Sequence, residues 1–134
     1  MDNIFIIHKP HSRRACWGLN DEEDKIGHWF ECDQLFEITI HGRIIHKITG
    51  KCAVITSATQ TEVTVSEKCD DDDSIWIYDN DEMFVHLAHG FKCVRPSGGV
   101  GIAKGDGNPI EVVDGDACGP SMEANSSYKL VTGK

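Results

Sequence analysis

Three times along this chain, a short apolar segment ends in a histidine and is followed six to eight residues later by a cysteine. Each copy continues with a second cysteine and then with an apolar segment that holds an aromatic residue. The histidine and the two cysteines of the copies are His8, Cys16 and Cys32; His46, Cys52 and Cys69; and His86, Cys93 and Cys118. Because a repeat of roughly forty residues cannot bury its apolar face alone, the three copies must share one core.

Length and composition predict a single domain over residues 1–134, with repeats at approximately 4–41, 42–81 and 82–132. The chain is 40% hydrophobic, which suits one core and leaves no room for a second. It has no run of about eighteen apolar residues, so we expect no membrane insertion. The first residues lack the parts of a signal peptide, so either a leader was removed or this is a domain of a longer chain. The net charge of −9 opposes contact with phosphate backbones, so we expect no nucleic-acid partner.

The six cysteines favour a disulfide framework over a metal or redox site. Close pairs such as C-x2-C, which structural zinc sites and redox motifs use, are absent. Equivalent cysteines in every repeat favour the local pairs Cys16–Cys32, Cys52–Cys69 and Cys93–Cys118 among fifteen possible connectivities. Each bridge closes a loop of roughly 16 to 26 residues, which contributes on the order of 3 kcal/mol. Such bridges predict an oxidising compartment, and the triplet that begins at Asn125 fits an N-glycosylation acceptor.

The local patterns predict strands. Residues 35–40 alternate in polarity, a turn follows at His41 and Gly42, and residues 43–46 return, which is a hairpin. A second hairpin is predicted over residues 74–78 and 83–87, and further β-like runs lie at 26–30, 62–66 and 110–113. Four short strands in each of three repeats, joined by Gly-rich turns, predict an all-β barrel-like domain with pseudo-threefold symmetry, a β-trefoil.

The order of these elements resembles the ricin-B-type (R-type) lectin trefoils, whose copies carry a Gln-x-Trp signature. The signature reads Gln34-Leu35-Phe36, Ser74-Ile75-Trp76 and Ser126-Ser127-Tyr128, and a Gly-Lys-Cys element stands at residues 50–52. The resemblance covers residues 4 to about 132. It implies the trefoil fold and metal-free binding of sugars, commonly galactose or its N-acetyl derivative.

In the first repeat the resemblance implies a sugar site. Trp29 stands where the family places its stacking aromatic, and Asp33 and Gln34 stand at its hydrogen-bonding pair. A pyranose has an apolar face and a fan of hydroxyls, which suits one aromatic platform with two or three fixed polar partners. The family's aspartate is replaced by Gly18, so Asn20 or Asp21 has to substitute. Alternatively, Trp29 and Phe30 alternate across the sheet with one in the core, and Asp33 and Gln34 form a solvated turn.

The third repeat has a longer segment between its cysteines, rich in glycine. Such a loop can gather N–H groups and carboxylates around a small ligand, or it can be an ordinary surface loop. The candidate contacts there are Arg95, Asp106, Asn108 and Asp114, with His86 or His89 nearby.

Metal sites and catalysis are the other readings of the polar residues. Calcium is an alternative at residues 70–73, four consecutive aspartates, or at residues 106–116, although consecutive aspartates point in different directions. Zinc between His8, His46 and His86 would need three strand ends to converge, and their repetition argues for a structural place in the strand. No nucleophile elbow, phosphate loop or paired catalytic carboxylate is present, so we expect no enzyme and no cofactor.

These observations predict a secreted or extracellular lectin that binds galactose-type or N-acetylgalactosamine-type glycans or glycoproteins. The leading alternative is a trefoil that binds protein, as a protease inhibitor or receptor ligand, through the long third-repeat loop. A single shallow site binds weakly, so useful avidity would need an oligomer or a second domain.

Overall fold

A computed structural model of the chain describes residues 1–9, 15–97, 106–119 and 126–133. Two short 3₁₀ turns, Asp72–Ser74 and Gly115–Ala117, interrupt an otherwise all-β chain. The strands are β1 (Ile4–His8), β2 (Cys16–Leu19), β3 (Ile26–Trp29), β4 (Phe36–Ile38), β5 (Ile44–His46), β6 (Cys52–Val54), β7 (Thr64–Ser66), β8 (Ile77–Tyr78), β9 (Phe84–His86), β10 (Lys92–Pro96), β11 (Asp106–Asp114) and β12 (Tyr128–Thr132). Within the described ranges, no helix is long and apolar enough to cross a membrane.

The strand pairings repeat three times, and this repetition defines the fold. In each repeat the first strand pairs with the second, and the second pairs with the third. The fourth strand pairs with the first strand of the next repeat: β4 with β5, β8 with β9, and β12 with β1. The predicted β-trefoil is therefore confirmed, and the two predicted hairpins are the β4–β5 and β8–β9 pairs.

The three β2–β3-type hairpins also meet one another, because one buried residue of each lies at the junction. Ile26, Val63 and Ile110 are buried there. The backbone N–H of Ile26 donates to the carbonyl of Val63 at 3.4 Å, and the N–H of Val63 donates to Ile110 at 3.0 Å. β11 pairs directly with β3, so the third repeat supplies a neighbouring strand to the first repeat.

Trp17 lies at the centre of the core. Its ring contacts Phe84 at 5.0 Å, Tyr128 at 5.5 Å and Phe36 at 6.3 Å between ring centroids. Phe36 belongs to the first repeat, and Phe84 and Tyr128 belong to the third, so one indole joins the first repeat to the third. Burial of a large apolar side chain contributes on the order of 1.5–3 kcal/mol.

The three equivalent histidines are buried, and each packs on a different aromatic ring. His8 lies 5.3 Å from Tyr128, His46 lies 5.3 Å from Phe36, and His86 lies 4.8 Å from Trp76. The first two contacts join residues that are direct cross-strand partners. The histidine position therefore has a structural place in the trefoil, since it packs on the aromatic residue that ends each signature.

Three disulfides close the repeats, one in each. They join Cys16 to Cys32, Cys52 to Cys69 and Cys93 to Cys118, as the repeat pattern predicts. The paired Cα atoms lie 5.3, 5.9 and 6.1 Å apart, inside the usual range for such bridges.

Candidate functional site

A cavity of about 390 Å³ opens on the surface of the first repeat, beside the end of β3. Trp29 lines it together with three further candidates named from the sequence, Asp21, Asp33 and Gln34. The cavity lies next to the disulfide Cys16–Cys32, which fixes the end of β3 against β2. Its described lining residues are Leu19, Asp21, Trp29, Phe30, Glu31, Asp33 and Gln34.

Trp29 lies against glycine backbone on two neighbouring strands. A Cβ atom at Gly18 of β2 would fall 2.6 Å from Cδ1 of the indole, and one at Gly107 of β11 would fall 2.7 Å from its Cη2. Real Cβ atoms do not approach so closely, so a side chain at either position would force the indole or its neighbours to shift. The indole N–H donates to the carbonyl of Gly18 at 3.0 Å. The ring is thus fixed in position while its remaining surface is partly exposed at the cavity.

Gln34 is fixed as firmly as Trp29, through its carbonyl oxygen. Oε1 accepts from the backbone N–H of Leu19 at 2.8 Å and contacts Nε2 of His46 at 2.7 Å. Because the Leu19 N–H can only donate, Oε1 must be the end of the amide that faces these partners. Among the described residues, none accepts from the amide nitrogen, so its N–H groups remain for a ligand. Gln34 is therefore not part of a solvated turn.

His46 supports this orientation through its contact with Oε1. Nε2 carries the proton that it donates to Gln34, and Nδ1 accepts from the hydroxyl of Thr49 at 2.8 Å. Burial lowers the pKa of His46 below its ordinary value, which keeps the ring neutral.

Of the two residues expected to replace the family's aspartate, the structure brings only Asp21 to the cavity. The Asn20 side chain closes its own turn: Oδ1 accepts from the N–H groups of Asp24 and Lys25, and Nδ2 donates to the Asp24 carboxylate at 2.7 Å. Asp21 and Asp33 are exposed and line the cavity. Gly18 itself has no room for an aspartate, because Trp29 and Gln34 occupy that space.

Phe30, Glu31 and Leu19 line the cavity but were not among the sequence candidates. Phe30 is 46% exposed, and neither it nor Trp29 belongs to the core. The alternation argument that placed one of them inside fails because β3 ends at Trp29, so the strand period does not extend to Phe30. The position of Glu31 directly before Cys32 is the signal that could have identified it.

The third-repeat candidates lie apart from one another. Asp106 and Asp114 begin and end a strand of nine residues, which spans about 25 Å at the usual rise of a β-strand. Arg95 donates to Glu111 at 3.3 Å, and Asp114 pairs with Lys92. The amide nitrogen of Asn108 donates to the carbonyl of Ser97.

Asp106 lies beside the first-repeat cavity, since it is the cross-strand partner of Trp29. His86 is buried and His89 pairs with Asp73. Most of the Gly-rich stretch between Pro96 and Asp106, and Asn125 of the glycosylation triplet, lie outside the described residues.

The second repeat offers a different surface. A depression of about 280 Å³ is lined by Ile75, Ile77 and Leu87 with Ala88 and Asp72, and no aromatic or amide side chain is among these described residues. The nearby acidic run 70–73 is partly structural. Asp71 accepts from the N–H of Asp73, and Asp73 bonds His89 at 2.7 Å. The described ranges contain no group of three residues placed to hold a metal ion.

Comparison with known proteins gives matches at the level of structure. No family model matches the chain, and no curated protein is similar in sequence. The β-trefoil lectin of the Vibrio vulnificus hemolysin/cytolysin, solved with N-acetyl-D-lactosamine bound, is similar with a TM-score of 0.73 and 9% identity, over 99% of this chain and 96% of that one. The C-half of the earthworm R-type lectin, in complex with GalNAc, has a TM-score of 0.63 and 11% identity, over 96% of this chain and 97% of that one. The chain therefore has the β-trefoil fold that both lectins share.

Proposed function

We propose that this protein is a non-catalytic lectin that binds galactose-type or N-acetylgalactosamine-type glycans in the first-repeat cavity. The observation that carries the proposal is the meeting of a fixed aromatic ring, Trp29, with a fixed amide, Gln34, at the rim of one cavity. Stacking on the apolar face of a pyranose and hydrogen bonds to its hydroxyls are the two contacts that a sugar needs.

Each polar group has a distinct role in this proposal. The amide nitrogen of Gln34 donates to a sugar hydroxyl, because its oxygen is already occupied by Leu19 and His46. The carboxylates of Asp21 and Asp33 accept from hydroxyls, which suits the two acceptor oxygens of each. The site does not include Arg95, Asn108 or Asp114, because their side chains bond Glu111, the Ser97 carbonyl and Lys92 respectively.

Two further facts support the proposal. Two of the similar structures are lectins with bound sugars. The three disulfides suit an oxidising environment, in keeping with a secreted or extracellular protein whose partners are glycans or glycoproteins.

The experiment is a titration of N-acetyllactosamine and methyl N-acetylgalactosaminide into the wild type and into Trp29→Ala. We expect Trp29→Ala to weaken binding roughly tenfold, because an aromatic contact of this kind is worth on the order of 1–2 kcal/mol. Phe91→Ala is the matched control, since Phe91 is an aromatic residue that is 52% exposed and does not line the cavity.

Thermal melting of each variant separates lost binding from lost folding. Equal affinity of the wild type and a folded Trp29→Ala variant would contradict the placement of the site. A blank glycan array combined with specific capture of a protein would instead favour the protein-binding alternative.

A further inference from the structure

Every charged residue in the described lining of the proposed site is acidic. Asp21, Glu31 and Asp33 line the cavity and are exposed, and none of the described lining residues is lysine, arginine or histidine. The two other polar contributors, the Gln34 amide and the Trp29 N–H, carry no net charge, and the latter already donates to Gly18.

Two lysines near the turn that Asn20 closes, Lys25 and Lys51, are paired with carboxylates outside the cavity lining. Lys25 donates to Glu62 at 2.7 Å, and Lys51 donates to the carbonyl of Glu23 and lies 3.7 Å from its carboxylate. The chain as a whole has a net charge of −9, so its long-range field has the same sign as the cavity.

We infer that this site takes uncharged glycan ends and rejects ends that carry a carboxylate or a sulfate. The inference rests on the proposed function and adds a charge rule to it. A carboxylate brought among three others meets repulsion from each, and a neutral amide donor cannot compensate for it. Rejection of a wrong ligand by charge of the same sign is a common source of specificity.

The test compares one glycan in two charge states that have nearly the same size. The probes are N-acetyllactosamine, its 3′-sialylated form, and the methyl ester of that sialylated form, in which the carboxylate is removed but the bulk is kept. At low ionic strength we expect the ester to bind at least about tenfold more tightly than the acid. The difference should shrink in 1 M salt, because salt screens exposed charges.

Variants identify the carboxylates responsible. The double variant Glu31→Gln with Asp33→Asn should bring the acid and the ester to within about threefold of each other. The matched control is Glu67→Gln with Asp70→Asn, two exposed residues on either side of Cys69 in the second repeat, which should leave the difference unchanged.

The outcomes separate this inference from the proposed function. If N-acetyllactosamine binds and the acid binds as tightly as its ester, the charge rule is wrong and the lectin proposal stands. If none of the three probes binds to folded protein, both the proposed function and the charge rule are wrong.

Discussion

Gly18 gives the sharpest test of the site, because family resemblance and geometry predict opposite results for the same substitution. The resemblance places an aspartate at this position, so Gly18→Asp should restore a missing ligand contact. The structure instead puts Cδ1 of Trp29 at 2.6 Å and Nε2 of Gln34 at 2.7 Å from any Cβ atom there. We therefore expect Gly18→Asp to weaken sugar binding.

The magnitude follows from what has to move. Overpacking a tight site costs about 1–3 kcal/mol, and loss of the hydrogen bond from Trp29 to the Gly18 carbonyl costs about 1 kcal/mol more. A total of about 2–4 kcal/mol lowers the melting temperature by roughly 6–12 °C for a chain of this size. Sugar affinity should fall at least about tenfold, because both Trp29 and Gln34 leave their positions.

Gly18→Ala isolates the steric part, measured by differential scanning calorimetry and by titration of N-acetyllactosamine. An alanine with enough room would stabilise the protein by about 0.4–1 kcal/mol, so the sign of the effect is itself informative. The same substitution in the Trp29→Ala background should cost at least about 1 kcal/mol less, since most of the clash is with the indole. Equal costs in both backgrounds, or tighter sugar binding by Gly18→Asp, would refute the geometric argument.

Three further predictions concern stability and metal. Replacing both Cys52 and Cys69 by alanine removes a bridge with a sequence separation of 17 residues. The unfolding free energy measured in urea should therefore fall by about 3 kcal/mol. An unchanged value would contradict a formed bridge. Burial lowers the pKa of His46 and of His86, so below about pH 6.5 the unfolded chain binds protons that the folded chain does not. The melting temperature should therefore be constant from pH 8 to 7 and fall towards pH 5.5. His86→Gln should make this fall less steep. A chelator should leave the affinity for N-acetyllactosamine unchanged, and loss of binding that calcium restores would move the site to an acidic segment.

The fold could be predicted because its signals repeat. One histidine or one aromatic residue says little, but three copies at equivalent positions determine which cysteines pair and which strands are equivalent. The histidines illustrate this: each packs on the aromatic residue of a signature, which is why both recur together. Binary patterning and repetition are local properties of the chain, so the sequence expresses them directly.

The environment of the site could be predicted less well, because it depends on contacts between strands that are distant in the chain. Gly107, from the third repeat, lies against Trp29 of the first, and no local pattern links them. The role of Asn20 was also hidden, since the same residue type serves equally well as a sugar ligand or as the cap of a turn. The spread of Arg95 and Asp114 along β10 and β11 follows from an extended strand where the sequence had indicated a loop.

The first and second repeats supply the hydrogen-bond acceptor of the buried histidine in two different ways. A buried imidazole needs a hydrogen-bond acceptor in either case. In the first repeat the acceptor for His46 is the side chain of Gln34, which has a donor end left over for the cavity. In the second repeat His86 Nε2 bonds the backbone carbonyl of Asp73 at 2.8 Å, and the short side chain of Ser74 is buried. A backbone carbonyl accepts from Nε2 of His86 but has no donor group to offer a ligand, so the fold imposes an acceptor for the histidine and leaves open whether that acceptor also carries a donor.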